Sequence, residues 1–554
     1  MTEDEGRAGS RRNSALVTAG IGLSRISGFV REKLTAYYLG SGFAVEAFRA
    51  ALRIPNLLQN LLGEGVLSAS FIPVYSRLLS EGREEEAGRV AGAVAGLLAV
   101  VSGSLVLLGV VFAEPITSVI ATGFPRDSAK FELTVTLVRI ITPGIGFLVL
   151  SAWCLGVLNS HRRFFLSYVA PVLWNAGMIA ALVTFGLRGV ATRDLAVALG
   201  WGTFVGSLLQ FLVQLRPVLR SAQGLRFRVT TAIPGVRRVL AAFGPVVAGR
   251  GVVQVSAYVD TVLASFLATG SFAALAFAQT LYVLPISLFG MSVAAAELPE
   301  LSSVEEQDRR RVQHRLADGL ARIAFYVVPS AVVFIVVGDE VVGLLYQGGE
   351  FGALATRQVW LVLIAYSLGL LPSTATRLLQ SSLYGMGDTR RPAILASIRV
   401  LLSGVVGVVL MLQLDQFRIT ATGIEQLADL PSFAFAEPAA RAAEDNLLQL
   451  GAVGLAIGSA IGSWFEYLAL RRVVAREIGL VQLGGGRLPR TLLAATAATV
   501  VAGAMRFVVA GLHPALGAPI AAGLTGLAYL AAARRLGLDE AVHLTARILR
   551  RHNR

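Results

Sequence analysis

The chain is short of charged residues, cysteine and histidine. Only 15% of its 554 residues are charged and 55% are hydrophobic, a composition too apolar for a soluble globule. The single cysteine, Cys154, excludes an internal disulfide and a thiolate metal site. The five histidines are scattered and predict no metal cluster. A glycine-rich phosphate loop ending in Lys-Ser/Thr is also missing, so the chain does not hydrolyse ATP by that route. We predict that the chain is not an enzyme and that it holds no cofactor or metal.

Long apolar runs dominate the chain instead. About fourteen of them are long enough to cross a hydrocarbon core of about 30 Å. We therefore predict an all-α polytopic membrane protein with about 14 transmembrane helices. The predicted spans are 14–38, 46–78, 88–113, 132–158, 165–187, 194–215, 238–267, 271–300, 318–337, 356–385, 393–413, 447–470, 489–511 and 514–534.

Arginines crowd every second connector. The amino-terminal tail, the connector 216–237 and the end of the chain are rich in them, whereas the intervening connectors hold few. Because basic connectors are held on the cytoplasmic side during insertion, this asymmetry predicts that both termini are cytoplasmic. The formal net charge of +14 then reflects topology, and we expect membrane lipids and no nucleic acid as partners.

An internal repeat relates the first six spans to the next six. At an offset of about 228 residues, Pro55 is echoed by Pro285 and Ile72-Pro73 by Leu298-Pro299. Repeats of six spans share one orientation, so we expect two six-helix lobes with a cavity between them. The predicted parts are a cytoplasmic tail (1–13), an N-lobe (14–215), a basic cytoplasmic linker (216–237), a C-lobe (238–470) with an acidic outward loop (414–446), two extra helices with their connector (471–534) and a basic cytoplasmic tail (535–554).

Charged side chains inside the first two spans are the strongest functional signal, because a charge near the bilayer centre is costly unless it faces a partner or a cavity. The candidates for substrate binding are Arg25, Arg31, Glu46, Arg49, Arg53 and Glu64. Arginine suits a phosphate or pyrophosphate, since its planar fork donates two parallel hydrogen bonds and stays charged. The alternative is an intramembrane ion-pair network, for example between Arg53 and Glu64.

Arg25 and Arg31 lie about 120° apart around an ideal helix, so they share a face only if the first span bends. In the seventh span, Asp260 is a candidate for coupling, because a buried carboxylate can hold a cation or take up a proton. It can equally pair with an arginine such as Arg250 or Arg399. Transport coupled to the membrane potential or to a monovalent cation would fit either case.

Several motifs resemble one known family. They are Ser24 to Arg31, Ala47-Phe48, Ile54 to Leu58, Gly63 to Gly65, Phe71 to Val74, Ala121 to Phe124, Leu158 to Ser160 and Leu345 to Phe351. From about residue 13 to 480 the chain is similar to the MurJ (MviN) lipid II flippases. The resemblance implies the fold of the multidrug/oligosaccharidyl-lipid/polysaccharide exporter superfamily. It also implies a cargo, the undecaprenyl-pyrophosphate-linked peptidoglycan precursor lipid II, moved from the inner to the outer leaflet by alternating access for cell-wall synthesis.

The resemblance also assigns roles to residues. It implies that Arg25 and Arg31 are needed for function and that Glu46 stands where the family more usually has aspartate. Asn56, inside the Pro-Asn-Leu-Leu motif, joins the candidate substrate-binding residues. We further expect a multi-pass protein of the bacterial cytoplasmic (inner) membrane that acts as a monomer, with the cell-wall synthesis machinery as a candidate partner.

Two departures from the family pattern keep alternatives open. Gln59 and Asn60 stand where a basic residue often follows the Pro-Asn-Leu-Leu motif, and Thr280 stands where many members carry a cavity arginine. With fewer cationic contacts, the cargo could be another lipid-linked oligosaccharide. A cation-coupled drug antiporter of the same superfamily is the remaining alternative.

Overall fold

A computed structural model describes residues 3–290, 293, 309–427, 433–509 and 511–552. Almost all of these residues are helical, and the strands among them form one two-stranded hairpin. This confirms the predicted all-α fold class. The predicted eighth span, 271–300, lies outside the described residues beyond Gly290, apart from Val293.

The helices up to residue 265 begin with one long element and then a span built of four short pieces. They are α1 (Glu3–Leu39), α2 (Phe43–Ala51), α3 (Arg53–Leu62), α4 (Glu64–Ser70), α5 (Ile72–Ser80), α6 (Glu84–Val111), α7 (Ala113–Ile120), α8 (Ala129–Ser160), α9 (Phe164–Val169), α10 (Pro171–Gly186), α11 (Thr192–Ser221) and α12 (Pro234–Ser265). Because α1 already begins at Glu3, most of the tail predicted at 1–13 continues the first helix.

The later elements include the hairpin of the outward loop. They are α13 (Ser271–Pro285), α14 (Arg309–Val336), α15 (Gly338–Tyr346), α16 (Ala353–Ser367), α17 (Leu370–Gly385), α18 (Arg390–Leu414), β1 (Phe417–Ile419), β2 (Ile424–Gln426), α19 (Pro438–Ala442), α20 (Gly451–Ile478), α21 (Leu488–Val509), α22 (Pro514–Arg535) and α23 (Asp539–His552). A π-helical turn, Ile286–Gly290, continues α13.

Eleven helical stretches among the described residues are long and apolar enough to cross a membrane. The pair α16 and α17, bent by 45°, raises this number to 12 if it forms one span. Two further helices, α1 with 37 residues and α12 with 32, are long enough but are not among those eleven. The predicted count of 14 is therefore not confirmed, although every predicted segment contains a helix.

The chain divides into two compact units. The N-terminal unit comprises Met1–Ser265 with Arg441–Asp445, and the C-terminal unit comprises Phe266–Ala440 with Asn446–Arg554. The division falls after Ser265 rather than in the predicted linker 216–237, because α12 packs against α3 and α4. The repeat itself and the lobe boundaries drawn from it stay predictions.

The second predicted span, 46–78, is a chain of four short helices rather than one long one. The break between α3 and α4 falls at Gly63, whose ψ of −147° is not helical. A Cβ atom at Gly63 would lie 2.2 Å from the Gln59 carbonyl oxygen, so only glycine fits this break. The break turns the polar residues on either side of it toward one cavity, described below.

The basic linker lies directly on a helix of the N-terminal unit. Cβ atoms added at Gly88, Gly92 and Gly96 of α6 would lie 1.8, 2.1 and 2.5 Å from carbonyl oxygens at linker residues 223, 226 and 228. These glycines lie about one turn apart, and because they have no side chains, the linker backbone can pack directly against the backbone of α6. Beneath it, the buried Trp153 indole donates a hydrogen bond of 3.1 Å to the Ala91 carbonyl.

Candidate anion site

Two arginines and one glutamate of the N-terminal unit form a cluster between α1 and α2. Glu32 Oε1 accepts from Arg31 Nη2 at 2.7 Å, and Glu32 Oε2 accepts from Arg49 Nη2 at 2.7 Å. Gly40, with a φ of +64°, lies in the short turn that brings α2 back beside α1. The three side chains are only 14–20% exposed. We call Arg31, Glu32 and Arg49 the arginine cluster.

A helix 144 residues further along the chain completes the arginine cluster's surroundings. Asn175 of α10 accepts at Oδ1 from Arg31 Nη1 at 3.0 Å, and the Arg31 guanidinium carbon lies 5.3 Å from the centre of the Trp174 ring. Such an arrangement adds a cation–π attraction. The amide nitrogen of Asn175 donates to Ser27 Oγ at 2.9 Å and to the Ser24 carbonyl at 3.4 Å.

The arginine cluster carries a formal charge of +1, because one carboxylate faces two guanidinium groups. Each guanidinium has five N–H donors, and Arg31 uses two of them for Glu32 and Asn175. The remaining donors of its planar fork match the geometry of a phosphate. Glu32 screens the repulsion between the two arginines, so a partly buried site can keep both in place while still attracting an anion.

The structure places the other predicted site residues at different positions. Arg25 is exposed on α1, which runs from Glu3 to Leu39 without a break. Glu46 is 1% exposed and forms an ion pair of 2.8 Å with the fully buried Lys130 of α8. The span predicted at 132–158 starts too late, because α8 begins at Ala129 and so includes Lys130.

The remaining candidates lie in the third, fourth and twelfth helices. Arg53 is half-buried at the start of α3, and its carbonyl accepts from the Tyr258 hydroxyl of α12 at 2.9 Å. Asn56 and Glu64 are exposed, and Asp260 is half-buried in α12. Whether these residues contact substrate or a coupling ion stays a prediction.

The break at Gly63 opens a polar cavity of about 370 Å³ in the N-terminal unit. Its lining consists of Gln59, Asn60, Glu64, Gly65 and Ser68. The two amides that depart from the family pattern therefore line the same cavity as the predicted Glu64. The surface they offer is uncharged apart from that carboxylate and suits hydroxyl and amide groups.

The C-terminal unit holds a second buried carboxylate, Glu466 of α20. It pairs with Arg399 at 3.2 Å and accepts from Gln380 at 2.9 Å. Thr280, the other departure from the family pattern, bonds through its hydroxyl to the Ala276 carbonyl of its own helix at 3.0 Å. Of the two arginines considered as partners for Asp260, Arg399 therefore has an acid of its own unit beside it. The side chain of the other, Arg250, is outside the part of the chain that the structure describes.

An apolar groove of about 500 Å³ lies in the C-terminal unit beside α22. It is lined by Leu284, Pro285, Leu288, Phe289, Phe325, Tyr326, Pro329, Ser330, Val333, Phe334, Gly526, Tyr529, Leu530 and Leu544. One of the two extra helices, α22, contributes Gly526, Tyr529 and Leu530 to it. The other walls come from α13, α14 and the terminal helix α23.

The sequence analysis did not predict three features of the site. They are the contact of Asn175 with Arg31, the pairing of Lys130 with Glu46 and the bridging role of Glu32. Asn175 had a signal, since an amide in the middle of an apolar run needs hydrogen-bond partners. Lys130 had only a weak signal, because it stands at the edge of a span. The bridging geometry of Glu32 depends on how α1 and α2 pack and leaves no mark in the sequence.

The fold defines the class of protein. A solved structure described as lipid II flippase MurJ in an inward closed conformation matches with a TM-score of 0.72 at 23% identity, over 95% of this chain and 99% of that one. An inward-facing multidrug resistance MATE family transporter of the MOP superfamily matches with a TM-score of 0.59 at 15% identity, over 82% of this chain and 94% of the transporter. The chain therefore has the fold of these multi-pass membrane transporters.

Sequence comparison identifies the family. The family model described as lipid II flippase MurJ matches residues 35–430. A probable lipid II flippase MurJ of Rhizobium tropici is 32% identical over 70% of this chain and 73% of that protein. Lipid II flippase MurJ of Burkholderia cenocepacia is 31% identical over 71% of this chain and 75% of its own length. The chain belongs to the MurJ lipid II flippase family, which confirms the resemblance, and it is a multi-pass protein of the inner membrane.

Proposed function

We propose that the chain moves lipid II from the inner to the outer leaflet of the cytoplasmic membrane for cell-wall synthesis. The observation that carries this proposal is the arginine cluster, a partly buried site of charge +1 that brings two guanidinium groups together. The family's flippases are named for a cargo whose lipid and glycan are joined through a pyrophosphate. A site for a dianionic group is thus what such a cargo requires.

The binding chemistry follows from the contacts. Pyrophosphate oxygens accept from the donors of Arg31 that neither Glu32 nor Asn175 uses, and Arg49 adds its positive charge beside them. The low local dielectric strengthens these charge-assisted hydrogen bonds. Glu32 holds the two forks near each other before the cargo arrives, so little ordering entropy is lost on binding. No covalent bond forms or breaks, and the protein acts as a transporter rather than as an enzyme.

The apolar groove of the C-terminal unit is the candidate site for the polyprenyl tail. Its walls are aromatic and aliphatic, and Ser330 is the one hydroxyl besides the two tyrosines among its lining residues. Burying hydrocarbon against such walls costs little, because lipid and groove are similarly apolar. The groove therefore guides the tail without trapping it.

Transport needs two states that bind the cargo differently, because a ligand with equal affinity for both states shifts neither. We propose alternating access, driven by the membrane potential or by a monovalent cation, with Asp260 as the candidate residue for coupling. We further propose cytoplasmic termini, a monomer, and the cell-wall synthesis machinery as partner. A cation-coupled drug antiporter is disfavoured, since a net positive cluster repels cationic drugs.

The test is complementation in bacteria depleted of their own flippase. The wild-type chain should restore growth and outer-leaflet lipid II, whereas Arg31→Ala and Arg49→Ala should each fail at equal abundance in the membrane. Arg193→Ala is the matched control, because it removes one positive charge from an exposed pair with Glu132 at 2.9 Å. If the wild type restores growth and both cluster variants restore it equally well, the arginine cluster is not the cargo site. If a well-inserted wild-type chain restores nothing, another lipid-linked oligosaccharide becomes the preferred cargo.

A further inference from the structure

We propose that Asn175 is a positioning residue that aims the Arg31 guanidinium at the anionic group of the cargo. The proposal rests on the function proposed above and extends it to a residue of a different helix. Asn175 is 4% exposed and lies inside a predicted membrane span. A buried amide in such a place is costly unless its donors and its acceptor are all satisfied.

The contacts show what satisfies it. Arg31 can only donate and a backbone carbonyl can only accept, so the orientation of the Asn175 amide is determined by its neighbours. Its oxygen must face Arg31 Nη1 at 3.0 Å, and its nitrogen must face Ser27 Oγ at 2.9 Å and the Ser24 carbonyl at 3.4 Å. One side chain of α10 thus bonds to two successive turns of α1.

Two residues of α1 lie beside this amide. A Cβ atom added at Gly28 would lie 3.9 Å from Asn175 Nδ2, an ordinary van der Waals distance, so the amide packs next to this position. Ser27 Oγ also donates to the Ser24 carbonyl at 2.9 Å, which holds the hydroxyl ready to accept from Asn175. Trp174, the residue before Asn175 in α10, covers the Arg31 guanidinium, whose carbon lies 5.3 Å from the centre of the indole ring.

These bonds give Asn175 a role that neither a smaller nor an acidic residue can take. Alanine would release Arg31 from its second anchor, so the guanidinium would rotate about Glu32 alone. Aspartate would keep the volume and the acceptor, but its charge would bring the net charge of the site from +1 to 0 and remove the donors to α1. A purely structural amide would lower the melting midpoint in both variants and leave the affinity of the folded protein unchanged, whereas a positioning amide would lower the affinity itself.

The experiment measures binding of undecaprenyl pyrophosphate to purified protein in nanodiscs. We expect Asn175→Ala to weaken binding about tenfold, as expected for one lost hydrogen bond to a charged group. Asn175→Asp should weaken it further, with the melting midpoint of both variants close to that of the wild type. In the Arg31→Ala background, Asn175→Ala should have no additional effect, because it acts through Arg31.

The matched control is Gln214→Ala, which removes another buried amide of the same unit. Gln214 accepts from Ser151 Oγ at 2.8 Å between α8 and α11 and does not touch the arginine cluster. Its loss should leave the dissociation constant unchanged. Wild-type affinity in Asn175→Ala, or tighter binding by Asn175→Asp than by Asn175→Ala, would overturn the positioning role. If the wild type and Gln214→Ala also fail to bind, the proposed function falls and this inference with it.

Discussion

Breaking the buried ion pair between Glu46 and Lys130 should destabilise the N-terminal unit. The Lys130 side chain is 0% exposed and that of Glu46 is 1%, and their charged atoms are 2.8 Å apart. The ammonium also lies 4.8 Å from the centre of the Phe124 ring. Removing one partner takes the ion pair away from a buried charge, which costs about 3–5 kcal/mol. Lys130→Met and Glu46→Gln should each show this loss.

The double variant provides the quantitative check. Replacing both charges removes the cost of desolvating them together with the attraction between them, so the pair as a whole contributes little to the free energy of unfolding. Lys130→Met combined with Glu46→Gln should therefore recover most of the stability that either change loses alone. The non-additivity of the two changes should therefore exceed the loss of either single variant, about 3–5 kcal/mol.

The assay is thermal unfolding of the purified protein, followed by tryptophan fluorescence, together with abundance in membranes. At about 2 °C per kcal/mol for a unit of this size, each single variant should lose about 6–10 °C. Arg193→Met, which breaks an exposed pair, should cost less than about 1 kcal/mol. The reasoning is refuted if Glu46→Gln keeps its melting midpoint and abundance but loses transport, because Glu46 would then serve the cargo, as the sequence led us to expect.

Three further predictions concern an acid, a helix contact and the groove. Burial raises the pKa of the Asp415 carboxyl, one residue beyond α18, to about 7. Because the folded chain then holds this proton more tightly than the unfolded chain, the free energy of unfolding should fall as the pH rises from about 4 to 7. Asp415→Asn should abolish that fall in melting curves between pH 5 and 8. Gly92→Val should lower the melting midpoint by displacing the linker from α6, whereas Gly103→Val, with nothing within 4 Å, should not. Gly526→Phe should fill the apolar groove and slow lipid II flipping without weakening undecaprenyl pyrophosphate binding, whereas Gly523→Phe on the same helix, outside the groove lining, should do neither.

Much of the fold could be predicted because the length of an apolar run indicates whether it can cross the membrane as a helix. The span predicted at 393–413 is α18, Arg390–Leu414, and the one predicted at 88–113 is α6, Glu84–Val111. The broken second span could not be predicted, since hydropathy does not register the non-helical ψ at Gly63. The division of the chain after Ser265 could not be predicted from the sequence either, because it depends on which helices α12 contacts.

The site was predicted in part for a similar reason. Arg31 and Arg49 stood out because charges inside apolar runs are costly, and the structure brings these two together. Their anchors could not be read from spacing, since Asn175 lies 144 residues from Arg31. Likewise, Lys130 lies 84 residues from Glu46. Partners on different helices are set by packing, which a single amino-acid sequence does not reveal.

The most direct test of the central claim is lipid II translocation by the purified protein in proteoliposomes. We predict that the wild-type chain moves lipid II between leaflets and that Arg31→Gln combined with Arg49→Gln reduces this movement to the rate of protein-free vesicles. The variant's melting midpoint should first be shown to match that of the wild type. Translocation by this double variant at the wild-type rate would contradict the claim that the arginine cluster binds the pyrophosphate.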